Sequence, residues 1–129
     1  MPLPITSVLA GLFALLMVPL SLQVSIRRIE LERSAPGSGR DETLHRRIRA
    51  HGNFIEYVPT AVIVVGLAEY GGADKRLIMA LAAAFLVSRL LHAVGMLYGS
   101  KPTLRAMAML LQHAAFLVSG AWLILHAVA

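Results

Sequence analysis

Arg46, Arg49, Asn53 and Glu56 stand at i, i+3, i+7 and i+10, a spacing that places them along one face of a helix. Tyr57 follows Glu56 and lies four residues on from Asn53. Guanidinium forks bind carboxylates bidentately, and a carboxylate such as Glu56 can take an ammonium. Further along the chain Arg89 and His92 are three residues apart, and Arg105 lies seven residues before Gln112. Arg27 and Arg28 close an apolar run near the start. Brought to one level, these groups form a net-positive wall with one carboxylate, suited to an anion that also carries an amine. A small peptide with two carboxylates and one ammonium fits that description.

Other chemistries find no footing. The sequence has no HExxH, no histidine pair at i, i+4, no phosphate-binding loop and no GxGxxG. Its serines have no evident histidine–carboxylate partners. It contains no cysteine, so any thiol must arrive with a ligand. Aromatic residues make up 6%, which excludes a basic, aromatic-interleaved nucleic-acid surface.

The elements that must carry these residues are apolar. Of 129 residues 57% are hydrophobic and 15% charged, and the mean hydropathy is +0.71; a soluble domain has about a quarter of its residues charged. The apolar residues fall into four blocks, about 3–26, 54–70, 77–98 and 104–128. A bilayer core of about 30 Å needs about 20 apolar residues in a helix. Three blocks meet that alone, and the second does so if its helix begins among the polar residues near Leu44. The stretch from Leu12 to Leu22 lacks the polar face of a soluble helix. The first block also lacks the basic start and the small-residue cleavage site of a signal peptide. The expected fold is all-α, a single domain forming an integral membrane four-helix bundle. Its helices span about 3–26, 42–70, 75–98 and 102–128, with a first loop at 27–41.

Punctuation supports those bounds. Pro36, Gly37, Ser38 and Gly39 mark a loop, and Ser38 or Asp41 can cap the second helix. Gly71-Gly72 ends it, Asp74 caps the third, "YGSKP" is a short turn, and Pro102 suits the first turn of the fourth. Pro19 and Pro59 lie inside helices, and Pro59 loosens the second one a turn past its polar stripe. The first and third connections carry most of the arginines. The positive-inside rule therefore puts them in the cytoplasm and both termini outside. Ala80, Ala84 and Ser88 have small-xxx-small spacing, which serves either contact within one chain or a subunit interface. Blander roles remain open for the charged groups. Glu56 and Arg89 could tie two helices together, and Arg27, Arg28, Arg46 and Arg47 could anchor to headgroups. His45 and His51 suit an interface, His113 and His126 packing.

"RAHGNFIEYVP", residues 49–59, resembles the signature of the MAPEG proteins, membrane-associated proteins in eicosanoid and glutathione metabolism. That signature reads loosely R-x-x-x-N-x-x-E-[YT]-x-P, matched here by Arg49, Asn53, Glu56, Tyr57 and Pro59. "SRLLHAVGMLY" and "KPTLRAM" are similar to the family's third helix and to the start of its fourth. The resemblance implies a homotrimer in a bacterial inner membrane, with glutathione as co-substrate between subunits and no metal. Arg27, Arg49, Asn53, Glu56, Tyr57, Arg89 and His92 would bind glutathione, and Arg105 would stabilise its thiolate. The partners implied are membrane lipids and a lipophilic electrophile or hydroperoxide arriving through the bilayer. Gly52, Met96 and Ala106 depart from residues found at these places in several members. They point to an alternative, a non-catalytic lipid- or ligand-binding membrane protein of the same fold. A third reading makes the polar cluster helix glue alone.

Overall fold

The computed structural model describes residues 1–34, 37, 39–99 and 101–128. Pro36 and Ser38 of the first loop and Ser100 of the third turn lie outside the described residues. Four helices follow in order, α1 (Pro4–Ser34), α2 (Glu42–Tyr70), α3 (Lys75–Leu97) and α4 (Pro102–Ala127). α2 is the central element and touches the other three. α1 packs on α2 and less on α3, while α3 and α4 make the most extensive pairing.

Three of the helices, α1, α3 and α4, are long and apolar enough to cross a membrane. The 29 residues of α2 are also long enough, at about 44 Å with a rise of about 1.5 Å per residue, although the helix opens on a charged half. The outward faces confirm the apolar solvent. Leu15, Leu110, Leu117 and Ile124 are each at least two-thirds exposed, whereas Ser88, Gln112 and Ser119 are buried at 1% exposure or less. This inversion of a soluble pattern is what a bundle in lipid requires. Phe13, Phe54, Val65, Ile78 and Phe85 fill the core between helices, with Phe13 edge-on to Phe54 at 5.7 Å between ring centroids.

The apolar run of the first helix stops at Ile26, but the helix continues for two further turns to Ser34. The extension is charged, unlike the apolar run that precedes it. It is held by a side-chain bridge, in which Arg27 donates from Nη1 to Glu30 at 3.0 Å and from Nη2 and Nε to Asp41 at 2.8 and 3.2 Å. Asp41 also caps α2, accepting from the Leu44 amide. The adjacent guanidinium and that amide hold the Asp41 carboxyl below the usual aspartate range. One carboxylate thus links Arg27 of α1 to the first turn of α2.

At the opposite end Glu69, in the last turn of α2, reaches the start of α1. Its oxygens accept from the amides of Ile5 and Thr6 at 2.9 and 2.8 Å, and from the Thr6 hydroxyl at 2.6 Å. These amides are orphan donors of the first helical turn, so Glu69 acts as a cap supplied by a neighbouring helix. α2 stops at Gly71 because Gly72 takes φ +79°, a left-handed conformation that glycine adopts without strain. Asp74 then caps α3 by accepting from Arg76 N at 2.8 Å. Pro19 and Pro59 are accommodated inside continuous helices.

Candidate functional site

A polar cavity of about 340 Å³ opens at the arginine-rich end of the bundle. Glu42, His45, Arg46 and Arg49 line it from α2, His92 and Met96 from α3, and Arg105 from α4. Four of the residues expected from the sequence to share one level, Arg46, Arg49, His92 and Arg105, are therefore brought together. With the histidines neutral, three guanidiniums against one carboxylate leave the lining with a formal charge of +2.

Arg105 belongs to the first turn of α4, whose amides present the positive end of the helix dipole. Its Nη1 meets the Met96 sulfur at 3.2 Å, a weak acceptor that holds the guanidinium without neutralising it. Its Nε is buried and has no hydrogen-bond partner. Among the described residues no carboxylate pairs with Arg105. A cation so placed is poised for an anion from outside the chain.

Its position depends on Gly95. A Cβ there would lie 2.9 Å from Arg105 Cγ, 3.3 Å from Arg105 N and 3.3 Å from Leu104 Cβ. α3 and α4 therefore approach closely at this turn. The Gly95 carbonyl also accepts from Lys101 N at 2.8 Å, which closes the connection between them.

Asn53, Tyr57 and Arg89 form a second cluster, about one turn deeper than His92. Arg89 is 3% exposed. Its Nη1 donates to Asn53 Oδ1, its Nη2 lies 3.8 Å from the Met109 sulfur, and its Nε lies 3.4 Å from Ser88 Oγ. The guanidinium carbon sits 5.2 Å from the centroid of the Tyr57 ring, within reach of a cation–π contact. Ser88 in turn donates to the Phe85 carbonyl at 2.8 Å and lies 3.5 Å from Gln112 Oε1. Asn53, Tyr57, Ser88 and Met109 are the partners of Arg89, and Glu56 is not. The blander alternative, a tie between Glu56 and Arg89, is not formed, and an amide stands where the carboxylate would have.

Two expected residues lie elsewhere. Glu56 is on the outer surface of the bundle. Arg27 is engaged by Asp41 and Glu30 and does not line the cavity. Conversely, Glu42 and His45 line it without having been singled out as site residues. The signal was in the sequence: Glu42, His45, Arg46 and Arg49 stand at i, i+3, i+4 and i+7, so the polar stripe simply begins a turn earlier.

No cluster of three or more metal-ligating side chains occurs among the described residues. Comparison with known proteins narrows the reading. A model of the MAPEG family matches residues 6–125. The inner membrane protein YecN, from two strains of Escherichia coli, is 33% identical over 91 residues, covering 70% of this chain and 69% of that protein. No solved structure gives a significant match.

Proposed function

Because this integral membrane protein belongs to the MAPEG family, we propose that its polar cavity binds glutathione and holds the thiol as a thiolate. The observation that carries this reading is Arg105, a cation without a carboxylate partner among the described residues, at the start of a helix and in the wall of a net-positive cavity. Glutathione with its thiol ionised has two carboxylates, a thiolate and one ammonium, a net charge opposite to the +2 of the lining.

Arg46 and Arg49 take carboxylates, and Glu42 takes the ammonium. His92 donates to a peptide or carboxylate oxygen. Arg105 meets the sulfur. A free thiol has a pKa of about 8.5, and an adjacent guanidinium or a helix N-terminus lowers it. The thiolate then attacks a lipophilic electrophile, forming a carbon–sulfur bond while the displaced group or opened oxygen takes a proton. With a hydroperoxide it attacks the terminal oxygen, the alcohol departs, and a second glutathione converts the sulfenate to disulfide and water. The protein supplies no nucleophile of its own, in keeping with a sequence without cysteine.

Glu56 belongs in this reading to a surface covered by a neighbouring copy in a homotrimer, since an exposed carboxylate among lipid tails is expensive. Asn53, Tyr57 and Arg89 stiffen the α2–α3 wall behind the ligand. The setting is the inner membrane named for the relative, with the first and third connections in the cytoplasm and both termini outside. A second reading, binding of a lipid or another ligand without turnover, is favoured by Met96, whose thioether stands against Arg105 where a hydroxyl would assist the sulfur.

Calorimetry in buffers of different ionisation enthalpy separates the two. Glutathione binding near neutral pH is expected to release a proton, and Arg105→Ala is expected to abolish the release. No binding, or equal proton release from Arg105→Ala, refutes the thiolate reading. Binding without proton release by the unaltered protein selects the second.

A further inference from the structure

Of the six methionines, Met1, Met17, Met79 and Met107 are exposed. Met96 and Met109 are not, and each sets its sulfur against a guanidinium. Met109 lies 3.8 Å from Arg89 Nη2 in the deeper cluster, and Met96 lies 3.2 Å from Arg105 Nη1. Their access differs. Met96 is 6% exposed, yet it lines the polar cavity together with Arg46, Arg49, His92 and Arg105. Met109 is not among the residues lining that cavity. Met96 therefore borders a space that a small solute can enter.

A thioether is soft and polarizable, and an oxidant converts it to a sulfoxide. With a hydroperoxide, the sulfur attacks the terminal oxygen. The sulfur–oxygen bond forms as the oxygen–oxygen bond breaks. The proton of the terminal oxygen passes to the departing oxygen, which leaves as an alcohol. Sulfur loses two electrons and the peroxide gains them. Negative charge builds on the departing oxygen, and cations fixed beside it lower the barrier. Arg46, Arg49 and Arg105 hold such charge in the cavity wall. The product changes what Arg105 meets. A thioether is a weak acceptor, whereas a sulfoxide oxygen is polar and accepts strongly. The flexible methionine side chain can turn that oxygen onto the guanidinium already beside it.

We propose that Met96 is an oxidation site for hydroperoxides, and that its sulfoxide engages the Arg105 guanidinium and closes the polar cavity to external anions. The oxidation needs no glutathione; its consequence for glutathione rests on the reading given above. Methionine sulfoxide reductases reverse the change, so the site can be set and reset.

The test treats the full chain in detergent with tert-butyl hydroperoxide and follows oxygen gain at each methionine by peptide mass mapping. Met96 is expected to gain one oxygen several times faster than Met109. Phenylglyoxal, which modifies free guanidinium groups, should then label Arg105 several times more slowly than before treatment. Glutathione should bind about tenfold or more weakly, as follows from losing a hydrogen bond to a charged group. Both changes should reverse with the two methionine sulfoxide reductases, one for each epimer, which separates them from irreversible damage. Met96→Leu, whatever its starting affinity, should show neither change on treatment. Met96→Gln, which brings a carbonyl oxygen in place of the sulfoxide's, should show both without peroxide. Oxygen gained at Met109 as fast as at Met96, or an unchanged rate of Arg105 labelling once Met96 is oxidised, overturns the inference. If the untreated chain binds no glutathione, the reading of the polar cavity fails, and the labelling of Arg105 still decides this one.

Discussion

Gly95→Ala is the most discriminating change the structure offers, because it adds one uncharged methyl group against the side chain of Arg105. In a helix interior alanine is favoured over glycine by about 1 kcal/mol. At Gly95 that gain meets a collision. The new Cβ would stand 2.9 Å from Arg105 Cγ, a side-chain atom that can move, and 3.3 Å from Arg105 N, a backbone atom that moves only with α4. Overpacking of this kind costs about 1–3 kcal/mol, so the substitution should be neutral to destabilising by about 2 kcal/mol. Relief comes by displacing Arg105 or by parting α3 from α4, and either moves the guanidinium from its place beside Met96. A hydrogen bond to a charged group is worth about 1.5–3 kcal/mol, which corresponds to about ten- to hundredfold in affinity for the thiolate form. Gly11→Ala is the control, since among the described residues no atom beyond its own stretch of helix would lie within 4 Å of its Cβ. The assay pairs a thermal stability scan in detergent with glutathione titration of both variants. If Gly95→Ala matches Gly11→Ala in stability and in affinity, the close approach of α3 and α4 does not set Arg105.

Three further outcomes follow from the same contacts. Asn53→Leu should leave the Arg89 guanidinium short of an acceptor and cost about 2–3 kcal/mol, whereas Asn53→Leu combined with Arg89→Leu should recover much of that loss; midpoints of thermal aggregation for the three variants decide. Asp41 has a depressed folded-state pKa, so its bridge to Arg27 contributes stability above the ordinary aspartate range and loses it as pH falls through the depressed value. Hydrogen-exchange protection in the first turn of α2, corrected for the intrinsic rate at each pH, should therefore fall on acidification, and Arg27→Gln should largely remove that dependence. Glu69→Ala should free the amides of Ile5 and Thr6, fraying the start of α1 at a cost of about 1–2 kcal/mol; faster exchange confined to residues 5–9 would be the signature.

The helices were legible because lipid imposes a length on apolar runs, and Leu12 to Leu22 or Leu104 to Leu125 can be little else. Their caps were legible where one residue does the work, as at Asp74 and Gly72. The end of α1 was not, because hydropathy stops at Ile26 while the helix persists on an i, i+3 pair and a bridge to Asp41. Arg49, His92 and Arg105 converge because each lies near the same end of its helix, which antiparallel connections already dictate. Arg27 shares that level, yet Asp41 claims it, and a partner fourteen residues away across a loop leaves no periodic mark. Glu56 shows the limit of helical phase. A stripe that slants around α2 carries Arg46 and Arg49 into the cavity, Asn53 into the core and Glu56 outside. The contact at Gly95 depends on an interhelical distance that no spacing encodes.

The central claim is that Arg105 turns a bound thiol into a thiolate. An ultraviolet difference spectrum of the purified protein, titrated with glutathione near neutral pH, tests it most directly. A thiolate band that saturates with the unaltered protein and disappears in Arg105→Ala is the expected result. Glutathione that binds without the band, or a band that survives loss of the Arg105 guanidinium, would contradict it.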